Sequence, residues 1–453
     1  MYMSKSNTFC INPFYQFMVK TNGTSGVCCN LTSKNEKILG NVNDTSIKDI
    51  WNSDFYKTLR LQLLNGEKPD VCTKCWKEED EGLDSVRITS NREFELVDAD
   101  IDLDKCLEDG GQLEINPGFL DLRLGNLCNL KCRSCSSDQS SQIQKENLKL
   151  EKKYTNKPVL HMFGTNSNDT IFDWINDDRF WEELQDILPS VNLIYFVGGE
   201  PTLHERHYEI LQKIIDDGRA NEVKLQYNTN LTNIQDRFIT LTNQFREVEI
   251  AVSIDGYGKL NDYIRYPSEW KTIENNIERL NNEMTSVTLA IDLTLMSLNA
   301  LRYLDVCDWL INYNKNIGLL IMIFHICYEP KHMSLYVLPS KVRKEYLEKN
   351  KARINSTMQS FIELDTKTDM GEMSFAKIFE EYITAMSSDI EYTDEERDNF
   401  LKYNEVLDNH RGGTKLFDVL PEYKEIFKKH PKWSDRKPRG LVTKYRNGSN
   451  TIN

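Results

Sequence analysis

Six short apolar runs separated by amphipathic stretches occupy the middle of the chain and leave it few possible folds. The runs are FLDLRLGN (119–126), VNLIYFVGG (191–199), VKLQYNTN (223–230), VEIAVSID (248–255), VTLAIDLTL (287–295) and GLLIMIFHIC (318–327). Between them lie segments such as LHERHYEILQKIIDDG and WKTIENNIERLNN, with apolar residues every three or four positions, the spacing of one helix face. Repeated strand–helix units predict right-handed crossovers and a parallel sheet. A sheet covered by helices on both faces reads as nearly continuous Val, Ile and Leu. Here polar residues recur at alternate positions: Asp121 and Arg123, Gln226, Asn228 and Asn230, Ser253 and Asp255, Asp292 and Thr294, then His325. Alternate residues of a strand share a face, so one face is polar. That suits an α/β fold of the partial (β/α)6 TIM-like barrel type, with a lumen that holds a polar ligand.

The barrel would take up residues 118–330 of 453, and a single core seldom grows beyond roughly 250–300 residues, so further parts are expected. These are a small Cys-rich α+β domain over 1–80, an acidic linker over 81–117 that Phe94 and Leu96 anchor locally, and a helical carboxy-terminal extension over 331–453. In the extension, FAKIFEEYITAM and EERDNFLKYNEVLDNHRGG read as helices, the latter stopped by its glycines. A net charge of −14, from 56 basic and 70 acidic residues, argues against general binding to nucleic acid. The basic tail from Lys428 onward reads as a solvated end. No run approaches the about 18 apolar residues of a membrane span, and the start of the chain lacks the basic and apolar regions of a signal peptide. The expectation is a cytoplasmic protein without a membrane partner.

Eleven cysteines in a reducing compartment suggest metal rather than disulfides. Eight fall into two groups, while Cys106, Cys307 and Cys327 read as ordinary buried thiols. Cys128, Cys132 and Cys135 follow the first strand in a CxxxCxxC pattern. Three thiolates so spaced can bind three irons of a cubane and leave the fourth free. A structural zinc site, the alternative, wants a fourth ligand that is not nearby in sequence.

CNLKCRSC after the first strand, with FVGGEPTLH ending the second, resembles the paired motifs of the radical S-adenosylmethionine (SAM) superfamily. The resemblance implies a 4Fe-4S cluster on Cys128, Cys132 and Cys135 whose free iron takes the amino and carboxylate groups of SAM. It implies reductive cleavage of SAM to methionine and a 5′-deoxyadenosyl radical that abstracts hydrogen, fed by a reductant such as flavodoxin or ferredoxin. It also places Gly198, Gly199, Glu200 and Pro201 at the SAM amino group, and Ser253 and Arg265 at its carboxylate. Asn228, Asn230 and Asp255 become nucleoside or substrate contacts, with strand-end capping as the plainer reading. Asp121, Arg123, Asp292 and His325 are lumen candidates by parity alone. Ser134 departs from the aromatic residue often found before the third cysteine.

Cys10, Cys28, Cys72 and Cys75, with the hairpin FMVKTNGTSGV and the helix SIKDIWN, resemble a twitch or SPASM module that holds an auxiliary iron-sulfur cluster. The four thiols would complete a second 4Fe-4S cluster, with Cys29 as an alternate; a zinc ribbon is the competing reading. Such modules usually follow the barrel, and this one precedes it. The expected activity is radical modification of a peptide or small metabolite. The alternatives are a non-catalytic metal-binding or electron-transfer protein, or an RNA-modifying radical enzyme that uses the basic tail.

Overall fold

The computed structural model describes residues 6–31, 39–80, 82, 84–94, 101–153, 172–368 and 374–428. Leu96 and the tail beyond Lys428 lie outside the described residues.

The six expected strands form: β3 (Phe119–Arg123), β4 (Leu193–Val197), β5 (Lys224–Thr229), β6 (Glu247–Ser253), β7 (Val287–Leu295) and β8 (Ile321–Ile326). They lie side by side in chain order and all pair in parallel. The amino-terminal cysteine-rich region joins this same sheet. Its hairpin of β1 (Gln16–Val19) and β2 (Ser25–Gly26) is antiparallel within itself, and β1 runs parallel to β3 with Met18 opposite Asp121. Strand order is β2-β1-β3-β4-β5-β6-β7-β8, so β2 and β8 are edges and the barrel is partial.

Register confirms the polar face. Asp121, Tyr195, Gln226, Glu249 and Thr288 stand opposite one another across five strands, and Ser253 opposes Asp292. On the other face Leu122, Phe196, Tyr227, Ile250 and Leu293 are fully buried under helices. Helix Glu205–Asp216 buries His207, Tyr208, Ile210, Leu211 and Ile214, and ends at Gly218, whose φ of 75° lets the Arg219 N–H turn back to the Ile214 carbonyl. Helix Trp270–Glu283 buries Ile273, Ile277 and Leu280, side chains worth about 1.5–3 kcal/mol each when removed from water.

Residues 81–117, expected as a linker, contain the helices Val86–Phe94 and Leu103–Glu108. Asn91 exchanges hydrogen bonds with the backbone at Phe9 and Ile11. The Phe94 ring lies 4.9 Å from Tyr15 and 5.7 Å from Phe119, near the start of β3. A few well-placed apolar side chains pack this stretch despite its acidic composition. Cys106, Cys307 and Cys327 are buried, as expected. Both carboxy-terminal helices form, Phe375–Ser387 and Asp394–Arg411, the second closed at Gly412 with φ 69°. No helix among the described residues is long and apolar enough to cross a membrane.

Candidate iron-sulfur and S-adenosylmethionine site

The loop after β3 carries the three thiols and is tied down at each turn. The Asn126 amide donates to the Ser137 carbonyl at 3.0 Å, the Ser140 hydroxyl to Leu130 at 2.6 Å, and the Lys131 and Arg133 N–H groups to the Tyr266 and Ile264 carbonyls at 2.6 and 2.8 Å. Cys128 and Cys132 are buried, and Cys135 packs against them. Burial pushes all three thiols up, Cys128 to about 12, and the neighbouring thiols raise Cys128 and Cys135 further. Thiols held neutral by burial and crowded together ionise only when a cation replaces the protons, so the donor set fits a metal cluster.

The loop after β4 packs under this one. A β-carbon on Gly199 would sit 2.2 Å from the Leu127 carbonyl oxygen, and one on Gly198 2.9 Å from the Arg123 backbone. The Gly199 and Glu200 N–H groups donate to Gly125 and Leu127 at 3.1 and 2.8 Å. The two glycines thus serve the approach of one loop to the other. Glu200 is buried with four donors: the Thr202 N–H and hydroxyl (3.3 and 2.7 Å) and the Thr229 hydroxyl (2.7 Å) on Oε1, and the Asn230 N–H (2.7 Å) on Oε2. Burial raises its carboxyl while these bonds oppose the rise. Oε2, with one donor, keeps a lone pair. The Asn230 amide reaches the Cys128 sulfur at 3.9 Å and Asn129 at 2.9 Å.

Asp255, at the end of the β6 run, takes Nη1 of Arg265 at 2.8 Å. Burial works against the Arg265 charge, but Cys132 and Asp255 outweigh it and hold the group above its usual range. Its buried Nε makes no hydrogen bond among the described residues, which leaves a donor for an anionic ligand beside the thiols. Ser253, half-buried, opposes Asp292 across the strands.

Deeper in the lumen, Asp292 accepts from the Asn228 amide at 2.7 Å and lies 3.5 Å from the mostly exposed His325 ring. Burial raises the Asp292 carboxyl, opposed by His325. Asp121 and Arg123 pair at 3.5 Å. Tyr195 sits among them: burial, then Asp121, raises its phenol, with further influence from Arg123, Asp292 and Cys29. Sequence reasoning missed Tyr195 because it lies inside an apolar run, although its parity matches Asp121.

Cys10, Cys28, Cys72 and Cys75 line one pocket. Burial pushes Cys10 and Cys72 to about 12 and Cys28 well above its usual value, with neighbouring thiols adding to the rise. Cys29 is outside that pocket; its thiol is raised by burial and then by Asp121, against the opposing influence of Arg123 and Lys74. Among the described residues no three His, Cys, Asp or Glu side chains converge as around a single ion; separate irons of a cluster need no such convergence.

From the carboxy-terminal helix, Asp408 pairs with Arg133 of the cysteine loop and Arg411 with Glu146 of the helix that follows the loop. No sequence signal could have found them, since the partners stand 275 and 265 positions apart.

Family models match in two places: an iron-sulfur cluster-binding domain, SPASM, over residues 10–76, and the radical SAM superfamily over residues 122–296. No curated protein matched the chain. Similar solved structures include native anSMEcpe with bound AdoMet, at 18% identity, covering 54% of this chain and 61% of that one with a TM-score of 0.37. Streptococcus suis SuiB matches at 13% identity, 66% and 62% coverage and a TM-score of 0.32; SuiB bound to its precursor peptide SuiA matches at 12%, 66% and 63%, and 0.32. The chain therefore spans less than two thirds of the length of these solved chains.

Proposed function

With a radical SAM domain over residues 122–296 behind a SPASM domain over 10–76, the chain is of a kind that works with a 4Fe-4S cluster and SAM, and we propose that it modifies a peptide by hydrogen abstraction. The observation that carries this reading is the grouping of two buried thiols, Cys128 and Cys132, and the partly buried Cys135 with Arg265, whose buried Nε makes no hydrogen bond among the described residues. When bound, the cluster and SAM supply a 5′-deoxyadenosyl radical, the hard chemistry that a protein positions but does not perform.

The residues have the following parts in this reading. Cys128, Cys132 and Cys135 hold the cluster. Oε2 of Glu200 accepts from the SAM ammonium, a charge-assisted bond, on a loop shaped by Gly198, Gly199 and Pro201. Nε of Arg265 and the Ser253 hydroxyl donate to the SAM carboxylate, while Asp255 keeps Arg265 in place. Asn228, Asn230 and the lumen groups Asp121, Arg123, Asp292, His325 and Tyr195 orient nucleoside and substrate. Cys10, Cys28, Cys72 and Cys75 hold an auxiliary cluster, a sink for the electron that an oxidised substrate must release. Strands β2 and β8 are the edges of the sheet, and in this reading an extended peptide, rather than a small metabolite, reaches the lumen between them. A flavodoxin or ferredoxin of the cytoplasm would be the electron donor.

Anaerobic reconstitution and reduction in the presence of SAM should release 5′-deoxyadenosine, and Cys132→Ala should reduce that release to background, measured by chromatography. Equal release from the Cys132→Ala protein would reject the assignment.

A further inference from the structure

The helix Asp394–Arg411 brings four polar side chains, Tyr403, Asn404, Asp408 and Arg411, against the cysteine loop and the helix Ser141–Lys153 that follows it. Nη2 of Arg133, between Cys132 and Cys135, meets Asp408 at 2.5 Å, with both side chains almost fully buried. Arg133 also donates to Asn404 at 3.0 Å and to the Tyr263 carbonyl at 3.1 Å, and stacks 3.7 Å over the Tyr263 ring. The Tyr403 hydroxyl donates to the Arg133 carbonyl at 2.8 Å. One turn beyond Asp408, Arg411 grips Glu146 through Nε at 3.1 Å and Nη2 at 2.7 Å, both side chains 3% exposed. Lys131 lies 3.3 Å from the same carboxylate. Nη1 of Arg411 is buried and makes no hydrogen bond among the described residues.

Fastening a helix does not require this arrangement. A buried ion pair recovers its desolvation cost only with good geometry, and well-packed apolar residues often do as well or better. The charges are also uneven: among the described residues Arg133, Lys131 and Arg411 pair with two carboxylates, Asp408 and Glu146, and the His410 ring lies 3.9 Å from Glu146 as well. A cubane on three thiolates carries net negative charge that grows on reduction, and a buried cation nearby favours the more negative state. Resting on the assignment of Cys128, Cys132 and Cys135 as cluster ligands, we propose that Arg411 and Arg133 are positioning residues for that cluster: held by Glu146 and Asp408, they fix the loop and raise the cluster's reduction potential.

Two neighbouring substitutions should then shift the potential with opposite signs, whereas a purely structural clamp gives no reason for opposite signs. In the full-length reconstituted protein, titrated with EPR detection, Arg411→Gln should lower the reduced-to-oxidised ratio of this cluster about tenfold at fixed poise, ~59 mV for one electron. Asp408→Asn should raise the ratio, and Arg411→Lys should restore most of the wild-type value. The second cluster should keep its potential throughout, and the Cys132→Ala protein identifies which signal is which. An unchanged potential in fully loaded Arg411→Gln, shifts of the same sign in Arg411→Gln and Asp408→Asn, or equal shifts of both clusters would overturn the proposal. Should Arg411→Gln fail to fold, the upward shift in Asp408→Asn decides it. If Cys132→Ala keeps both signals and its full iron content, the ligand assignment itself fails.

Discussion

His207 shows how single side chains couple this fold to pH. Its Nε2 shares a hydrogen bond with the Tyr227 hydroxyl at 2.8 Å, and burial drives its pKa down to about 3. Burial likewise takes His204 and His332 to about 4. An unfolded histidine titrates near 6.5, so between that value and about 4 the unfolded chain binds more protons than the folded one. Stability is then complete above pH ~6.5 and falls as pH drops through this window, by about 1.4 kcal/mol per pH unit for each fully engaged group. Denaturant titrations of the cluster-free protein at pH 7 and pH 5 should show this loss, and His207→Gln should shallow the slope; a flat profile would exclude it. At this scale the cysteines announced themselves by spacing. Tyr195 did not, because an aromatic inside an apolar strand looks like core until register places it opposite Asp121.

At the scale of elements, the contact between the loops after β3 and β4 is close enough to be tested with one methyl group. The β-carbon of Gly199→Ala would stand 2.2 Å from the Leu127 carbonyl oxygen, which is backbone and has little freedom to yield. We expect a loss of about 1–3 kcal/mol, as for other overpacked sites, together with lower iron loading on Cys128, Cys132 and Cys135. Thermal melts and iron assays on the purified variant check both, and wild-type values for both would show that the loops separate freely. The strands were legible because side-chain alternation is set by backbone geometry alone. The helices over residues 81–117 were not, since composition averages over a stretch in which Asn91, Phe94 and Leu103 decide the packing. The clamp of Arg133 on Asp408 was equally hidden, as nothing local marks a pairing made only by the tertiary fold.

For the whole molecule, the amino-terminal module is part of the sheet rather than an appendage to it. Four residues of β1 pair with β3, and Arg60, fully buried, donates to the carbonyls of Pro13 and Gly111. A chain beginning at residue 118 would expose the unpaired edge of β3 together with the faces of Phe119 and Leu120, a template for association. Such a truncation should be recovered mainly as aggregate, measured by size-exclusion chromatography. A monodisperse product would mean that the barrel stands alone. Main-chain pairing of β1 with β3 also ties the gap between the two groups of thiols to the sheet. An electron crossing it would meet the same tunnelling barrier in every copy of the protein, instead of one that widens and narrows as domains drift on a tether.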